Sequence, residues 1–262
     1  MIELYYVPEK VGKEEVEKAE SSIKRYKNLS VRADSGFYED VVVALGGDGT
    51  FLSALKKPGK YVLAIPKEGS LAFISDNTLD DLEECLQKIK KHSYEVNKIV
   101  QLQAFLNGKK VGNALNDVYI KATKKTVDYE IDFGHDRFRA RGDGVIVFTP
   151  LGSTGYSHSV RGPKVDWDAE VMGISQIASC SFNDDLPYII PNDRSVGIEI
   201  RRGVGDLYCD GEEPFPVKPG DVISVSVRPE YYSYLIRVNK EAVSEKILKK
   251  QIEAVERYKE RT

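Results

Sequence analysis

The sequence predicts two domains of different class, a Rossmann-like α/β domain and a predominantly β domain. The first comprises residues 1–95 together with the tail, 240–262, and the second comprises residues 96–239. Strand and helix patterns alternate in the first third of the chain, whereas many short β-type segments follow, separated by turn residues. The tail is charged and amphipathic, so we expect it to form a helix that packs back on the first domain.

The α/β domain is predicted from alternating apolar segments. The run VVVAL is continuous and β-branched, which is typical of a strand buried on both faces of a parallel sheet. The helical segments instead place apolar residues three and four positions apart, on one face. Strands are predicted at 2–7, 41–45 and 61–66, and helices at 13–27, 50–57 and 78–92.

The second domain is predicted from short β-type segments that extend as far as YLIRV at 234–238. Asn107-Gly108 and Asp210-Gly211 are strong hairpin signals, because both dipeptides tolerate the positive φ angles that tight turns require. Helical periodicity is weak here, apart from a possible helix near 169–178. We therefore expect a domain built mainly of antiparallel strands.

Composition excludes several classes of protein. The chain has 262 residues, 41% hydrophobic and 30% charged, which is ordinary for a soluble globular protein. Its net charge of −3 argues against a general nucleic-acid binder. The apolar runs are too short to span a membrane, and no secretory pattern is present, so we expect a cytoplasmic protein. The three cysteines are scattered and lack zinc-binding spacing.

The segment GGDGT at 46–50 follows the buried strand and precedes a predicted helix. Gly46, Gly47 and Gly49 would let phosphate oxygens approach backbone N–H groups, and the helix N-terminus favours anions. A carboxylate beside phosphate is repulsive unless it acts as a base or a metal ligand, and both uses belong to phosphoryl transfer. The alternative is that Asp48 or Thr50 only caps a helix beginning near Phe51.

A second segment, RGDGVIVFTPLGSTGYSHSVRGP at 141–163, places a strand between an acidic glycine turn and a loop of small residues. The loop offers hydroxyl groups, backbone N–H groups and one aromatic ring. That mixture suits a ribose and a base better than a lipid chain.

These motifs together resemble the NAD kinase family. GGDGT after a buried strand is similar to the element shared by NAD kinases, diacylglycerol and sphingosine kinases and, more distantly, phosphofructokinases. RGDG…TPLGSTGYS resembles the NAD kinase signature more closely. ALNDVYI at 114–120 is similar to the family's Asn-Glu-Val element with aspartate for glutamate, and EGSLAFIS at 68–75 resembles its GxLGFL segment.

The resemblance implies a function and a site. It implies transfer of a phosphoryl group from ATP or polyphosphate to the adenosine ribose 2′-hydroxyl of NAD, with Mg²⁺ on the donor phosphates. Asp48 would activate that hydroxyl, as a base or through the metal; no metal ligand is assigned. The residues that would bind nucleotide are Gly46, Gly47, Gly49, Thr50, Phe73, Asn116, Asp117, Arg141, Asp143, Thr154, Gly155, Tyr156 and Ser159.

The sequence departs from the family pattern at several positions. Leu151 replaces threonine, Gly155 replaces alanine, and Arg161 stands at the first glycine of a later pair. Pro66-Lys67 stands where Ile-Asn is usual, and of the late motif LPYIIP at 186–191 keeps only the outline. Asp210-Gly211 resembles a family Asp-Gly, although a hairpin turn explains it equally well.

Two alternative functions remain open from the sequence. A lipid kinase of the diacylglycerol type shares GGDGT, but the chain shows no amphipathic patch for a membrane. A non-catalytic NAD(P) sensor would explain the departures but not an intact Asp48. The expected partners are small nucleotides, without nucleic acid or membrane, and the resemblance implies a homodimer or homotetramer.

Overall fold

The computed structural model describes residues 1–32, 38–57, 59–70, 72, 74–134, 136–180, 187–227 and 232–239, with Ile252 and Glu256. The chain divides into two compact units, one formed by Met1–Lys98 with Ser233–Thr262 and the other by Ile99–Tyr232. Each unit has its own apolar core.

The helices and strands follow in chain order. The helices are α1 (Lys13–Lys24), α2 (Asp48–Leu55), α3 (Leu82–Lys90) and α4 (Tyr156–Ser159), with 3-10 turns at Pro8–Lys10 and Leu151–Thr154. The strands are β1 (Ile2–Tyr6), β2 (Ser30–Arg32), β3 (Tyr38–Gly46), β4 (Tyr61–Pro66), β5 (Glu95–Ile99), β6 (Leu102–Leu106), β7 (Lys109–Ala114), β8 (Asp117–Ala122), β9 (Val127–Asp132), β10 (Arg137–Gly142), β11 (Gly144–Phe148), β12 (Val171–Ile177), β13 (Tyr188–Pro191), β14 (Ser195–Arg202), β15 (Gly205–Cys209), β16 (Phe215–Val217), β17 (Val222–Val227) and β18 (Ser233–Arg237).

The first unit is an α/β structure built on one sheet. Its strands lie in the order β1-β3-β4-β18-β5, with β2 antiparallel to the start of β3. The pairs β1–β3, β3–β4 and β4–β18 are parallel. The VVVAL run is fully buried in β3, while α1 and α3 place Ala19, Ile23 and Leu86 in the core. The predicted Rossmann-like α/β class is confirmed.

Strand β18 lies in a different sheet from the one we expected. YLIRV was predicted as part of the β-rich domain, but β18 pairs with β4, and the rings of Tyr61 and Tyr234 stack with centroids 4.4 Å apart. Arg237, at the end of β18, forms a buried ion pair with Asp76. An apolar strand pattern identifies a strand but not its partner, which explains the difference.

The second unit is β-rich, as predicted. One antiparallel sheet has the order β10-β9-β14-β17-β6-β7 and another has the order β13-β12-β11-β8-β15-β16. Alternate residues of both sheets meet in one core, which includes Tyr129 and Ile131 from one sheet and Val118 and Val147 from the other. This is the arrangement of a β-sandwich.

Two local predictions in the second unit had opposite outcomes. Asn107-Gly108 turns between β6 and β7 with φ angles of 50° and 79°, so the hairpin is confirmed. The possible helix near 169–178 is wrong, because residues 171–177 form β12 in the middle of a sheet. Gly173 there leaves room for the ring of Phe148, which a Cβ would meet at 2.4 Å or less.

The predicted tail helix over 240–262 lies outside the described residues, except for Ile252 and Glu256, which are helical. Within the described part of the chain, none of the helices has the length and apolar character needed to cross a membrane.

Candidate active site

The GGDGT segment connects β3 to α2 at the carboxyl edge of the parallel strands. β3 ends at Gly46, Gly47 is the N-cap residue, and α2 begins at Asp48. β4 ends beside β3, with Pro66 paired to Gly46. Ligands of α/β proteins bind at this edge because helix N-termini and their free N–H groups point there.

Asp48 lies in the first turn of α2 and is half-buried. Its Oδ1 accepts a hydrogen bond of 3.0 Å from the backbone N–H of Ile74. The alternative that Asp48 or Thr50 caps a helix beginning near Phe51 is wrong, since the helix begins at Asp48 and no side chain caps it. The bond from Ile74 holds one oxygen of the carboxylate in the first turn of the helix.

The glycines of this turn have different roles. A Cβ on Gly46 would lie 2.7 Å from Cβ of Thr50, so the close packing of these two residues requires glycine. A Cβ on Gly49 would meet nothing within 4 Å, and Gly49 is exposed. Thr50 is only 5% exposed. The open side of the turn is therefore at Gly49, whereas Thr50 packs against Gly46. Phe73 lies outside the described residues.

The loop after β4 is attached to the start of α1. The Lys67 backbone N–H donates to the Gly46 carbonyl at 2.9 Å, and its ammonium donates to the Lys10 carbonyl at 2.8 Å. The Glu68 N–H donates to Oε1 of Glu15 at 2.7 Å. The lysine that departs from the family pattern therefore has a structural contact that holds the loop beside GGDGT.

In the second unit, Asn116 precedes β8 and Asp117 is its first residue, and Asp210 forms hydrogen bonds with the backbone of both. The Asp210 carboxylate accepts backbone N–H bonds from Leu115 at 2.9 Å, Asn116 at 2.8 Å and Asp117 at 3.2 Å. The Asp210 N–H donates in return to the Asp117 carbonyl at 2.9 Å. Asp210 has φ of 52°, so it is also a turn residue. The sequence predicted the turn at Asp210 but not the three hydrogen bonds that its carboxylate accepts.

Asp117 is a buried acid with an altered protonation equilibrium. Burial and, to a smaller extent, the negative charge of Asp210 together raise the pKa of its carboxyl to about 7, against the lowering effect of the Tyr156 backbone N–H. The side chain is near the beginning of α4, since a Cβ on Gly155 would lie 3.7 Å from Oδ2 of Asp117. Near neutral pH, Asp117 therefore changes between hydrogen-bond donor and acceptor.

The TPLGS segment packs closely on Asn116. The Thr149 hydroxyl donates to the Leu115 carbonyl, and the Thr149 N–H donates to the Asn116 carbonyl at 2.9 Å. A Cβ on Gly152 would lie 2.7 Å from Cα of Asn116, so this contact requires glycine. Leu151, which departs from the family pattern, is 5% exposed and packs inside the unit.

Three tyrosines lie beside Asp117. The Tyr119 ring stacks on Tyr208 at 4.8 Å and meets Tyr156 edge-on at 4.9 Å. Only Tyr156 was predicted as a site residue. Tyr119 follows Asp117 by two positions in β8, so both side chains lie on the same face of that strand, and Tyr208 in β15 precedes the turn residue Asp210 by two. That period-two spacing was the available signal.

The remaining predicted residues separate into two groups. Asp143 lies close enough to Tyr156 to raise the pKa of its phenol, after burial and Asp117. Arg141 instead pairs with Asp128 at 2.7 Å on another face of its sheet. The Ser159 hydroxyl donates to the Tyr156 carbonyl at 2.8 Å, and the Thr154 hydroxyl donates to the Leu151 carbonyl at 3.3 Å.

The chain is similar to proteins of one family. Residues 115–238 match the family described as the ATP-NAD kinase C-terminal domain. An NAD kinase of Thermoplasma volcanium is 30% identical over 197 residues, which cover 73% of this chain and 71% of that protein.

Two solved structures have a similar fold. The structure of yeast NADH kinase complexed with NADH matches with a TM-score of 0.76 and 19% identity, over 92% of this chain and 84% of the other. The structure of an NAD kinase from Archaeoglobus fulgidus in complex with ATP matches with a TM-score of 0.73 and 23% identity, over 95% and 97% of the two chains.

Proposed function

Because this chain belongs to the NAD kinase family, we propose that it transfers a phosphoryl group from ATP or polyphosphate to the adenosine ribose 2′-hydroxyl of NAD, forming NADP. The observation that carries this proposal is the position of Asp48. Its carboxylate is held by the Ile74 N–H at the start of α2, beside the open face of Gly49. A carboxylate in this position can act on the attacking hydroxyl in phosphoryl transfer, which is a role beyond capping a helix.

Asp48 accepts the proton of the 2′-hydroxyl as the hydroxyl oxygen attacks the donor's terminal phosphorus. The phosphoanhydride bond between that phosphorus and the rest of the donor breaks, and ADP or the shortened polyphosphate leaves. A base held in position contributes about 10²–10⁴ to the rate of such a reaction. The backbone N–H groups of Gly47 and Gly49, at the N-terminus of α2, hold phosphate oxygens of the nucleotides. Gly46 and Thr50 keep the turn in its shape.

The dinucleotide is bound by the pocket of the second unit. Asn116 and Asp117 hydrogen-bond ribose hydroxyls, and Tyr156 offers an aromatic face to a base. Asp143, Thr154, Gly155 and Ser159 complete the pocket around α4. The Tyr119 ring packs edge-on against Tyr156 and stacks on Tyr208. Asp210 positions Asn116 and Asp117 through hydrogen bonds to their backbone N–H groups. Arg141 has a structural part, because its guanidinium is engaged by Asp128.

Magnesium enters this proposal with the phosphate donor. Within the described residues, no group of three or more acidic, histidine or cysteine side chains is arranged to hold a metal ion. Mg²⁺ does not need such a cage, because it is commonly held by one or two carboxylates together with substrate phosphates. The ion would be held by the donor phosphates, where it would neutralise charge on the phosphoryl oxygens; no protein ligand is assigned to it.

We further propose a cytoplasmic homodimer or homotetramer. All three cysteines are free thiols, which suits a reducing compartment. Sedimentation velocity of the purified chain tests the oligomeric state, and a monomer at micromolar concentration would contradict it.

The function is tested by incubating the full chain with NAD, Mg²⁺ and ATP, and then with other nucleoside triphosphates or polyphosphate. NADP is measured with an NADP-specific dehydrogenase, and we expect it to form with at least one donor. Absence of NADP with every donor would contradict the proposal. Phosphorylation of diacylglycerol in the same mixture would indicate a lipid kinase, and NAD binding without turnover would indicate a sensor.

A further inference from the structure

The second unit contains a cavity of about 390 Å³ beside the end of α4. Two structural segments form its walls, the turn that ends α4 and the last residues of β12. The cavity is lined by Ser159, Val160, Arg161, Gly162, Ser175, Gln176, Ala178, Ser179 and Pro187.

Arg161 lies in a turn position that glycine normally occupies. The Gly162 N–H donates to the Ser157 carbonyl at 2.8 Å, and the Arg161 N–H donates to the His158 carbonyl at 3.1 Å. This pair of bonds defines the turn in which a helix ends on a left-handed residue. Arg161 is that residue, with φ of 64°. A side chain there costs conformational free energy that glycine would avoid.

The cavity also includes a second residue in the left-handed region. Among the described residues other than glycine, positive φ angles occur at His92, Asn107, Arg161, Ala178 and Asp210. Asn107 and Asp210 belong to turns that tolerate them. Ala178, which also lines the cavity, has a φ of 43°. Alanine has no polar side chain that could stabilise this left-handed conformation. Such residues concentrate at ligand sites.

Among the described residues that line the cavity, Arg161 carries the only charge. Arg161 is exposed, and among the described residues no carboxylate pairs with its guanidinium or lines the cavity. Other arginines of the same unit are neutralised by carboxylates, namely Arg137, Arg139, Arg141, Arg201 and Arg202.

We propose that this cavity is a phosphate subsite, in which Arg161 binds a phosphate group of a nucleotide substrate or product. The proposal rests on the proposed function for the identity of the nucleotide, because the same chemistry is offered by the donor's phosphates, the diphosphate of NAD and the 2′-phosphate of NADP. A guanidinium presents several donors in one plane, which suits phosphate oxygens. The volume leaves room for the nucleotide beyond the phosphate.

The test is calorimetric titration of inorganic phosphate into wild type, Arg161→Gln, Arg161→Lys and Arg161→Gly. We expect Arg161→Gln and Arg161→Gly to bind phosphate at least about fivefold more weakly, and Arg161→Lys to stay within about threefold of wild type. The matched control is Arg194→Gln, an exposed arginine of the same unit that does not line the cavity, and it should bind as wild type does.

Thermal unfolding of the same variants separates binding from folding. Arg161→Gly removes a side chain from a left-handed position, so its melting temperature should equal or exceed that of wild type while phosphate affinity falls. Wild-type protein that fails to bind millimolar phosphate would overturn the subsite. Unchanged affinity in Arg161→Gln would also overturn it.

The source of the phosphate is identified by steady-state kinetics of wild type and Arg161→Gln. A rise in KM for the donor alone assigns a donor phosphate, a rise in KM for NAD alone assigns its diphosphate, and weaker inhibition by NADP alone assigns the 2′-phosphate. If phosphate affinity falls but none of these changes, the nucleotide assignment is wrong. Calorimetry requires no turnover, so a chain that makes no NADP would contradict the kinase proposal without deciding the subsite.

Discussion

The two candidate regions are constructed in different ways. In the α/β unit, the turn from Gly46 to Thr50 is one continuous segment, with close contacts within it and backbone hydrogen bonds from Lys67 and Ile74. In the β-rich unit, the residues proposed to bind the dinucleotide come from separate segments, and Asp210 holds Asn116 from a distant part of the chain. The proposed reacting group therefore lies in a local motif, whereas the proposed binding residues depend on a distant partner.

The largest effect should follow from replacing the reacting group. We expect Asp48→Asn to lower kcat by about 10³-fold or more, because the amide accepts no proton, while the Kd for NAD stays within about threefold. Steady-state NADP formation and NAD titration measure the two quantities. Asp80→Asn, which removes an exposed ion pair with Lys18 in the same unit, is the control and should leave kcat unchanged. A kcat for Asp48→Asn within tenfold of wild type would contradict the role of Asp48 as the reacting group.

Asp210→Ala should affect binding and stability together. It leaves three backbone N–H groups without their acceptor, so we expect a loss of about 2–4 kcal/mol in unfolding free energy and at least a tenfold rise in KM for NAD. Denaturant unfolding and initial rates measure these effects. Asp221→Ala removes a carboxylate that accepts bonds from Lys218 and Asn107 at another turn. That control should lower stability and leave KM unchanged; equal effects on KM would contradict the positioning role.

The pH dependence of binding should depend on Asp117. Because burial and Asp210 raise the pKa of this carboxyl to about 7, it is protonated below that pH and ionised above it. If the carboxylate accepts bonds from ribose hydroxyls, kcat/KM for NAD rises as the pH increases through about 7. Asp117→Asn should lose this transition. If Asp117→Asn keeps the same transition in kcat/KM as wild type, the transition belongs to another group.

The same pKa predicts a change in stability. The folded state binds the Asp117 proton more tightly than the unfolded state, in which the pKa is near 3.8. Wild type should therefore lose stability relative to Asp117→Asn as the pH rises from about 4 to about 7, by at most about 1.4 kcal/mol per pH unit, and the difference should become constant above that range. Denaturant unfolding at several pH values measures it, and a constant difference throughout would contradict the raised pKa.

The smallest effects should distinguish two glycines of one turn. Gly46→Ala forces a Cβ against Thr50, so we expect a loss of about 1–3 kcal/mol in unfolding free energy. Gly49→Ala meets no atom within 4 Å and adds a better helix former, so stability should be unchanged or slightly higher. The KM for the phosphate donor should still rise in Gly49→Ala, because the added methyl group lies on the open side of the turn, where we propose that phosphate oxygens approach the backbone. Equal stability losses in both variants would show that Gly49 also has a packing role.

The sequence predicted local features well and long-range partners poorly. The positions of β3, β4 and GGDGT follow from local patterns, and the roles of Asp48, Asn116 and Tyr156 remain predictions from the resemblance. The strand β12 was read as a possible helix because its buried residues show no alternation. Asp210 was explained as a hairpin residue, since nothing in an Asp-Gly pair reveals that its carboxylate reaches another strand.

The division of roles between the two regions is tested most directly by single-turnover NADP formation at saturating NAD and donor, with Asp48→Asn and Asp117→Asn compared. The account predicts that Asp48→Asn reduces the single-turnover rate by about 10³-fold or more with little change in NAD affinity. It predicts that Asp117→Asn weakens NAD binding but reacts within about tenfold of the wild-type rate once saturated. A near-wild-type rate for Asp48→Asn, with the large loss in Asp117→Asn instead, would contradict the account.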